Sequence, residues 1–284
     1  MLLTLREIKS KTEKFFSEKG IPNGKLDTDL ILSHALNLKR LDLYLDLDRP
    51  IYEKELNQMR EMVRRRAMRE PLQYILGETV FFNCTLRVDK RALIPRPETE
   101  LLVEQILPKA QEAEHVLELG TGSGAIVLAL ANAGVSAEIT AIDRDPEALA
   151  LAKTNADALG LFERIKFLES DWLSGVPAEK QFDLIISNPP YLTQALYESA
   201  EPEVREFEPK QALLSAESGM ADIKTIMQQS FCFLKPNGYL VFETGTDQHA
   251  ELSKDAEQIG YQGIRTTQDL NGDDRFLWMQ RQAY

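Results

Sequence analysis

Apolar residues recur every three or four positions through the first 75 residues; the pattern then changes to short continuous runs separated by amphipathic stretches. Leu2, Leu5, Ile8 and the stretch 9–16 ending at Phe16 predict a first helix, which Gly20-Ile21-Pro22 ends. Asp27 is placed to cap a second helix with Leu30, Ile31, Leu32, Ala35 and Leu36 on its inner face. A third spans 53–68, with Leu56, Met59, Val63 and Ala67 turned inward. Arg60, Arg64, Arg65, Arg66 and Arg69 crowd this helix. For most of them a solvated face is expected, and a docking patch is the sharper alternative. Residues 1–75 therefore predict a small helical domain with no catalytic set of its own.

Val80-Phe81-Phe82 and Thr85-Leu86-Arg87-Val88 predict two short strands around Asn83-Cys84. Leu93-Ile94-Pro95-Arg96-Pro97 follows as a stiff linker, so 76–97 is a hairpin plus a connector. Glu98 and Glu100 fall in the first turn of the next helix, where its dipole favours acidic groups. From 98 to 284 strands at 115–119, 138–142, 165–168, 182–186 and 239–243 alternate with helices at 126–133, 146–159 and 223–234. That alternation predicts an α/β domain with a parallel sheet covered on both faces. The end differs: 263–267 and 275–280 pair through the turn Asn271-Gly272-Asp273-Asp274. The result is a seven-stranded, Rossmann-like sheet whose last strand is antiparallel.

Two stretches carry chemistry. Glu118-Leu119-Gly120-Thr121-Gly122-Ser123-Gly124-Ala125 leaves a strand and opens a helix, and its glycines let the backbone pass close to a ligand. Asp143 ends the next strand, where a carboxylate can accept from both hydroxyls of a ribose. Gly120, Gly122 and Ala125 formally fit a dinucleotide fingerprint; S-adenosylmethionine, which has a ribose but no pyrophosphate, is the alternative. Glu118 is awkward beside a pyrophosphate and welcome beside a sulfonium or an ammonium. Asp171 and Trp172 place a polar group and a ring where an adenine would lie, although a core aromatic is an equal reading of Trp172.

The second stretch is Ile185-Ile186-Ser187-Asn188-Pro189-Pro190-Tyr191, a buried strand running into a rigid turn. The prolines end the ladder and hold the residue before each in an extended conformation. The Asn188 amide, the Pro189 carbonyl and the Tyr191 ring are then fixed around a small planar group. Two acceptors, the Asn188 oxygen and the Pro189 carbonyl, can each take one N–H of an amide, with Tyr191 pressing on its face. No histidine or metal is needed for that task. With Asp143, Asp171 and this turn in order, a methyl donor is favoured over a dinucleotide.

Composition narrows the classes. Of 284 residues, 43% are hydrophobic and 27% charged, as in an ordinary globular protein with ample core. The net charge of −12 disfavours broad binding to phosphate backbones. Cys84 and Cys232 are far apart, and His34, His115 and His249 are scattered, so no metal site is expected. The thiols fit a reducing cytosol. The N-terminus has no signal-peptide pattern, and no apolar run reaches about 18 residues. A cytoplasmic protein without a membrane span is expected.

The motifs extend further: Gln73-Tyr74-Ile75-Leu76-Gly77-Glu78, Phe81-Phe82, 93–100, 118–124, Asp143, Asn188-Pro189-Pro190-Tyr191, Glu203-Val204, Phe207-Glu208-Pro209 and Ala212-Leu213. Together they resemble the HemK/PrmC family, the glutamine-N5 methyltransferases of peptide-chain release factors, over nearly the whole chain. The resemblance implies a class I S-adenosylmethionine-dependent methyltransferase fold preceded by a helical domain that holds the release factor. The implied substrate is the glutamine of the Gly-Gly-Gln loop of class I release factors. The cofactor loop falls on Gly120, Thr121, Gly122, Ser123 and Gly124 with Glu118 before it, the ribose acid on Asp143, and the adenine-side contacts on Asp171 and Trp172. The substrate turn falls on Asn188, Pro189, Pro190 and Tyr191, with Arg96, Pro97 and Phe81 as walls of the glutamine pocket. The sequence departs from the family at Leu214-Ser215-Ala216-Glu217-Ser218-Gly219, where a different glycine-containing turn is usual. A ribosomal-protein glutamine methyltransferase and an adenine-N6 nucleic-acid methyltransferase are the competing readings; charge and the short bundle count against the second. A non-enzymatic binding module would predict a broken cofactor loop or turn, and both are intact.

Overall fold

The computed structural model describes residues 2–283. In chain order the elements are α1 (Leu5–Glu18), α2 (Gly24–Leu36), α3 (Arg40–Leu45), α4 (Glu53–Ala67), α5 (Leu72–Leu76), β1 (Glu78–Phe81), β2 (Cys84–Arg87), α6 (Pro97–Glu112), β3 (His115–Leu119), α7 (Ala125–Asn132), β4 (Glu138–Asp143), α8 (Pro146–Ala158), β5 (Ile165–Glu169), β6 (Phe182–Ser187), α9 (Gln194–Ser199), α10 (Pro202–Phe207), α11 (Ala216–Gly219), α12 (Ala221–Phe233), β7 (Leu234–Glu243), α13 (His249–Ile259), β8 (Tyr261–Gln268) and β9 (Asp274–Arg281). They form two compact units. One comprises the residues through Gly77 together with Glu201–Phe207; the other comprises Glu78–Ala200 and the residues from Glu208 onward. The hairpin and linker expected as a separate segment are therefore part of the second unit, and a short piece from late in the sequence belongs to the first. No helix among the described residues is long and apolar enough to cross a membrane.

In the first unit α1 starts at a capping box: Thr4 Oγ1 accepts from the Glu7 N–H, and the Glu7 carboxylate accepts from the Thr4 N–H. Two apolar clusters form its core, one around Leu5, Leu32, Leu43 and Met59, the other around Phe16, Ile31, Met62 and Ile75. Gly24 starts α2 because a Cβ there would lie 2.8 Å from Phe16 Cβ. The helix thus begins three residues before Asp27, which is not a cap. Asp27 is buried and accepts from Arg66 Nε at 2.7 Å. On α4 the buried positions are Met59, Met62 and Arg66, while Leu56 and Val63 are only partly covered.

The arginines on and just after α4 are all in ion pairs. Arg60 binds Glu53, Arg64 binds Glu61 and Arg65 binds Glu70. Arg66 binds Asp27 and Glu203, and Arg69 binds Glu201 and Glu203. Arg60 and Arg64 are on a solvated face, as expected. Arg66 is 6% exposed and is an internal fastener, since its two carboxylates come from α2 and α10.

The second unit is built on a seven-stranded sheet of order β5-β4-β3-β6-β7-β9-β8. β5, β4, β3, β6 and β7 are parallel; β9 lies antiparallel between β7 and β8. Side chains alternate between its faces. Val116, Ile139, Leu184, Ile186 and Val241 join one cluster with α6 and α7; Leu117, Ile142, Ile185, Leu240 and Phe242 join another with α12 and α13. A sheet covered on both faces explains why these strands read as continuous apolar runs. The helix α13, with Leu252 and Ala256 buried, was not anticipated from the sequence. The β1–β2 hairpin turns at Phe82 and Asn83, both left-handed at φ 43° and 66°. Strand alternation then sends Phe81, Cys84 and Leu86 into the core of this unit.

β3 connects to β4 on one side, whereas β6 pairs on the other. The order reverses between them, which opens a crevice at their carboxyl ends. Both chemical stretches leave from those two ends, with Leu119 opposite Ser187.

Candidate active site

The glycine loop follows β3 and turns through Gly120, Gly122 and Gly124 at φ 74°, 55° and 84°. The N–H groups of Gly120 and Thr121 both bond the Ile142 carbonyl at 2.8 Å. A Cβ on Gly120 would lie 3.5 Å from the Trp172 ring, so loop and indole are within van der Waals reach. Asp143 accepts from the Gly122 N–H at 2.8 Å and from the Asp145 N–H at 3.0 Å, which fixes its carboxyl at the end of β4. Burial pushes that carboxyl up, against the pull of the two N–H groups. Glu118 is 2% exposed and accepts from Thr121 Oγ1 at 2.6 Å; burial pushes it up to about 8.

These groups line a cleft whose open space, with the solvent at its mouth included, is about 940 Å³. Glu118, Gly120, Thr121, Gly122, Ser123 and Asp143 form its floor, and Trp172 stands at one wall. Gly124 is outside the lining. It starts α7, where a Cβ would crowd Leu128 and Ala152 at 3.0 and 3.2 Å. Asp171 is exposed and does not line the cavity; Ser170 does. The left-handed Trp172, φ 48°, brings the indole inward and leaves Asp171 outside.

The second wall comes from the turn after β6. Ser187 Oγ bonds the Leu119 carbonyl at 2.7 Å and ties the two strand ends together. Asn188 and Pro190 line the cavity, whereas Pro189 and Tyr191 are not among its lining residues. Asn188 Nδ2 donates to Thr99 Oγ1 at 3.2 Å, and Thr99 Oγ1 donates to Glu243 Oε2 at 2.7 Å. Tyr191 Oη donates to the other oxygen of Glu243 at 3.3 Å, and its ring packs against the α12–α13 side of the core. Tyr191, expected to press on the face of a substrate amide, is anchored through its hydroxyl and lies outside the lining of this cavity. Its hydroxyl needs a buried acceptor, and Glu243 supplies one. Burial and the neighbouring Glu243 carboxyl push the phenol up.

Phe81 is 1% exposed in the hydrophobic core and is not among the residues lining this cavity, because it lies on the inward face of β1. Arg96 does line the cavity. It donates to Glu208 Oε1 at 2.6 Å, while Glu208 Oε2 accepts from the Ile94 N–H at 3.1 Å. The linker before α6 is thus pinned by Glu208, a buried carboxylate 112 residues away. Thr99, Glu208 and Glu243 had no assigned roles in the sequence reading. Glu243 sits at the polar end of the apolar run 239–243, and a carboxylate closing a buried strand was the available signal. The segment 214–219 also finds its form: Leu214 bridges Leu192, and Gln248 Nε2 donates to the carbonyls of Tyr191 and Ser218 at 3.0 and 3.1 Å. Gly219, at φ 83°, is required there, since a Cβ would fall 2.1 Å from the Tyr191 carbonyl oxygen.

Residues 7–77 match the family model described as the PrmC N-terminal domain, and residues 110–283 match a methyltransferase domain. The release factor glutamine methyltransferase of Geobacter sulfurreducens is 39% identical over 274 residues, 96% of this chain and 95% of that protein. That of Shewanella oneidensis is 40% identical over 254 residues, 89% of this chain and 88% of that protein. The chain belongs to the release factor glutamine methyltransferase family. Among solved structures, a methyltransferase from Pyrococcus furiosus superposes with a TM-score of 0.55 at 17% identity, over 80% of this chain and 99% of that one, which shows the shared fold.

The residues present fit the donor expected of such a methyltransferase, S-adenosylmethionine. Asp143 holds a carboxyl where a ribose diol would be met, and the indole of Trp172 offers a flat wall. Glu118, buried and facing the cavity, is a carboxyl that a neighbouring cation would draw into its charged form.

Proposed function

We propose that this enzyme transfers a methyl group from S-adenosylmethionine to the side-chain amide nitrogen, N5, of the glutamine in the Gly-Gly-Gln loop of class I peptide-chain release factors. The reading places it in the cytoplasm, assigns the capture of the release factor to the helical unit and expects no stable complex with nucleic acid. The observation that carries it is the anchored Asn188 amide. Its Nδ2 is engaged by Thr99, so its oxygen turns away from Thr99 as an acceptor beside the glycine-loop cavity.

An amide nitrogen is a poor nucleophile because its lone pair is delocalised into the carbonyl. No side chain at neutral pH removes its proton outright, so the task is to aim it. When bound, S-adenosylmethionine supplies a methyl group on a positively charged sulfur. Asn188 Oδ1 accepts one N–H of the substrate amide, and the Pro189 carbonyl accepts the other. The nitrogen is thereby held by both its protons and presents its remaining direction to the donor side of the cavity, where Glu118, the glycine loop, Asp143 and Trp172 define the donor's place. Pro190 and Arg96 border the amide, and Glu208 holds Arg96 in position. Orientation of this kind is worth roughly 7–11 kcal/mol of barrier. The proton leaves after transfer, when the nitrogen is cationic and acidic. Acceptors fixed beforehand stabilise the charge as it develops.

The test is methyl transfer from labelled donor to a purified release factor, to the same factor with its loop glutamine changed to alanine, and to duplex DNA. Label on the intact factor alone is expected. Label on DNA, or on the altered factor, overturns the assignment. Label on none of the three, with donor binding intact, redirects it to another protein glutamine, such as one on a ribosomal protein.

A further inference from the structure

Asn188 is nearly symmetric in shape and asymmetric in chemistry. Half a turn of its amide replaces an acceptor with a donor, and a donor in that place would repel the N–H it is meant to receive. Something must set the sense of the amide before substrate arrives. The structure holds a chain of groups suited to this. Thr99 and Glu243 are 4% and 1% exposed, at the start of α6 and the end of β7. An ionised carboxylate only accepts. The hydroxyls of Thr99 and Tyr191 both direct their protons to it, at 2.7 and 3.3 Å. Thr99 has one proton, and once that is given to Glu243 the oxygen can only accept from Asn188. The NH₂ end of the amide must then face Thr99, as observed at 3.2 Å.

We propose that Glu243, acting through Thr99, sets the polarity of the Asn188 amide, so that Thr99 and Glu243 are positioning residues for methyl transfer. The inference rests on the reading of Asn188 as the acceptor of the substrate N–H. Tyr191 belongs to the same assembly: it gives the second carboxylate oxygen a partner, and Gln248 holds its backbone carbonyl at 3.0 Å. Burial pushes Glu243 up, with Glu98 adding to the push and Thr99, Arg275 and Tyr191 opposing it. A glutamine in its place could donate to Thr99. The Thr99 proton would then be free for the Asn188 oxygen, which reverses the chain.

The experiment is single-turnover methyl transfer at saturating donor and release factor, with donor affinity measured by calorimetry. Thr99→Val keeps the shape and removes the hydroxyl. It should slow transfer at saturating donor about 100-fold, the size of losing one prealigned polar group at a reacting centre, and calorimetry separates that loss from any change in donor affinity, since Thr99 also lines the cavity. Thr99→Ser should restore the rate to within about threefold of the original, because the hydroxyl is what matters. Glu243→Gln should fall with Thr99→Val. In an Asn188→Ala background, Thr99→Val should slow the residual reaction no further, since residues that act through one group are not additive. Additive losses, or a Thr99→Ser enzyme as slow as Thr99→Val, would overturn the positioning role and leave packing as the explanation. Full activity of Asn188→Ala would instead remove the acceptor reading itself. An inactive Asn188→Ala beside fully active Thr99→Val and Glu243→Gln would remove only the relay.

Discussion

The Glu118 carboxyl keeps its proton at neutral pH, where most carboxyls are charged. Burial raises it to about 8 from an ordinary 4.5, and the Thr121 hydroxyl and the Val127 N–H do not offset the lost water. The sign of its effect on stability follows. Between about 4.5 and 8 the folded chain holds a proton there that the unfolded chain has lost, so this residue makes the protein less stable as pH rises through that window. Glutamine has no proton to lose. Glu118→Gln should therefore gain stability over the original protein between pH 5 and pH 8 in the absence of ligand, as read from denaturation midpoints of both proteins at the two pH values. An equal difference at both would show that Glu118 is charged in the folded state. Its retention in so costly a place fits a task that needs a charge when a cationic donor is present.

At the scale of the element, two glycines in the same backbone conformation separate strain from space. Gly134, just after α7, has φ 82° and nothing within 4 Å of where a Cβ would be. Gly219, closing α11, has φ 83° and the Tyr191 carbonyl oxygen at 2.1 Å. Gly134→Ala should cost only the left-handed penalty, about 1–2 kcal/mol, and leave methyl transfer intact. Gly219→Ala carries the same penalty and must also push the segment after Tyr191 away from Gln248. It should lower thermal stability further and reduce methyl transfer as well. Equal activity of the two variants would mean that the 214–219 segment does not hold the Asn188–Tyr191 turn. The unusual sequence of that segment is thus compatible with a clamp on the turn, made by one glycine and one glutamine.

For the molecule as a whole, a net charge of −12 hides strongly paired cations. Arg66 bonds Asp27 and Glu203, 39 and 137 residues away, and fastens α10 into the helical unit. Arg66→Ala would leave the buried Asp27 without its cation and Glu203 with Arg69 alone, and losses of this kind run to about 3–5 kcal/mol. Its melting temperature should fall well below that of Arg64→Ala, whose ion pair with Glu61 is on the solvated face and whose stability should match the original. Equal melting of the two would show that the Glu203 segment is held by other means. The same comparison settles the docking alternative for these arginines: release-factor affinity unchanged in Arg64→Ala would assign its exposed guanidinium to solvation.

Local pattern determined much of this protein. Continuous apolar runs marked the central strands, because a sheet covered on both faces buries every side chain along them. The glycine loop after β3 and the Asn-Pro-Pro-Tyr turn after β6 were legible because glycine and proline act on their own backbone dihedrals, whatever surrounds them. The placement of both at one crevice then followed from strand order. What the tertiary structure alone decided involves groups distant in sequence. Phe81 and Asp171 seemed site residues by their neighbours, yet the face of a strand and one left-handed residue turned them elsewhere. Tyr191 sits in the right motif and points its hydroxyl at Glu243. The Thr99–Glu243 bond joins residues 144 positions apart, and the Glu208 anchor of the linker spans 112 or more. Hydrogen bonds of that kind leave no period or spacing in a sequence. They depend on which strand ends and helix starts the folded sheet brings within 3 Å, and that is a property of the packed chain.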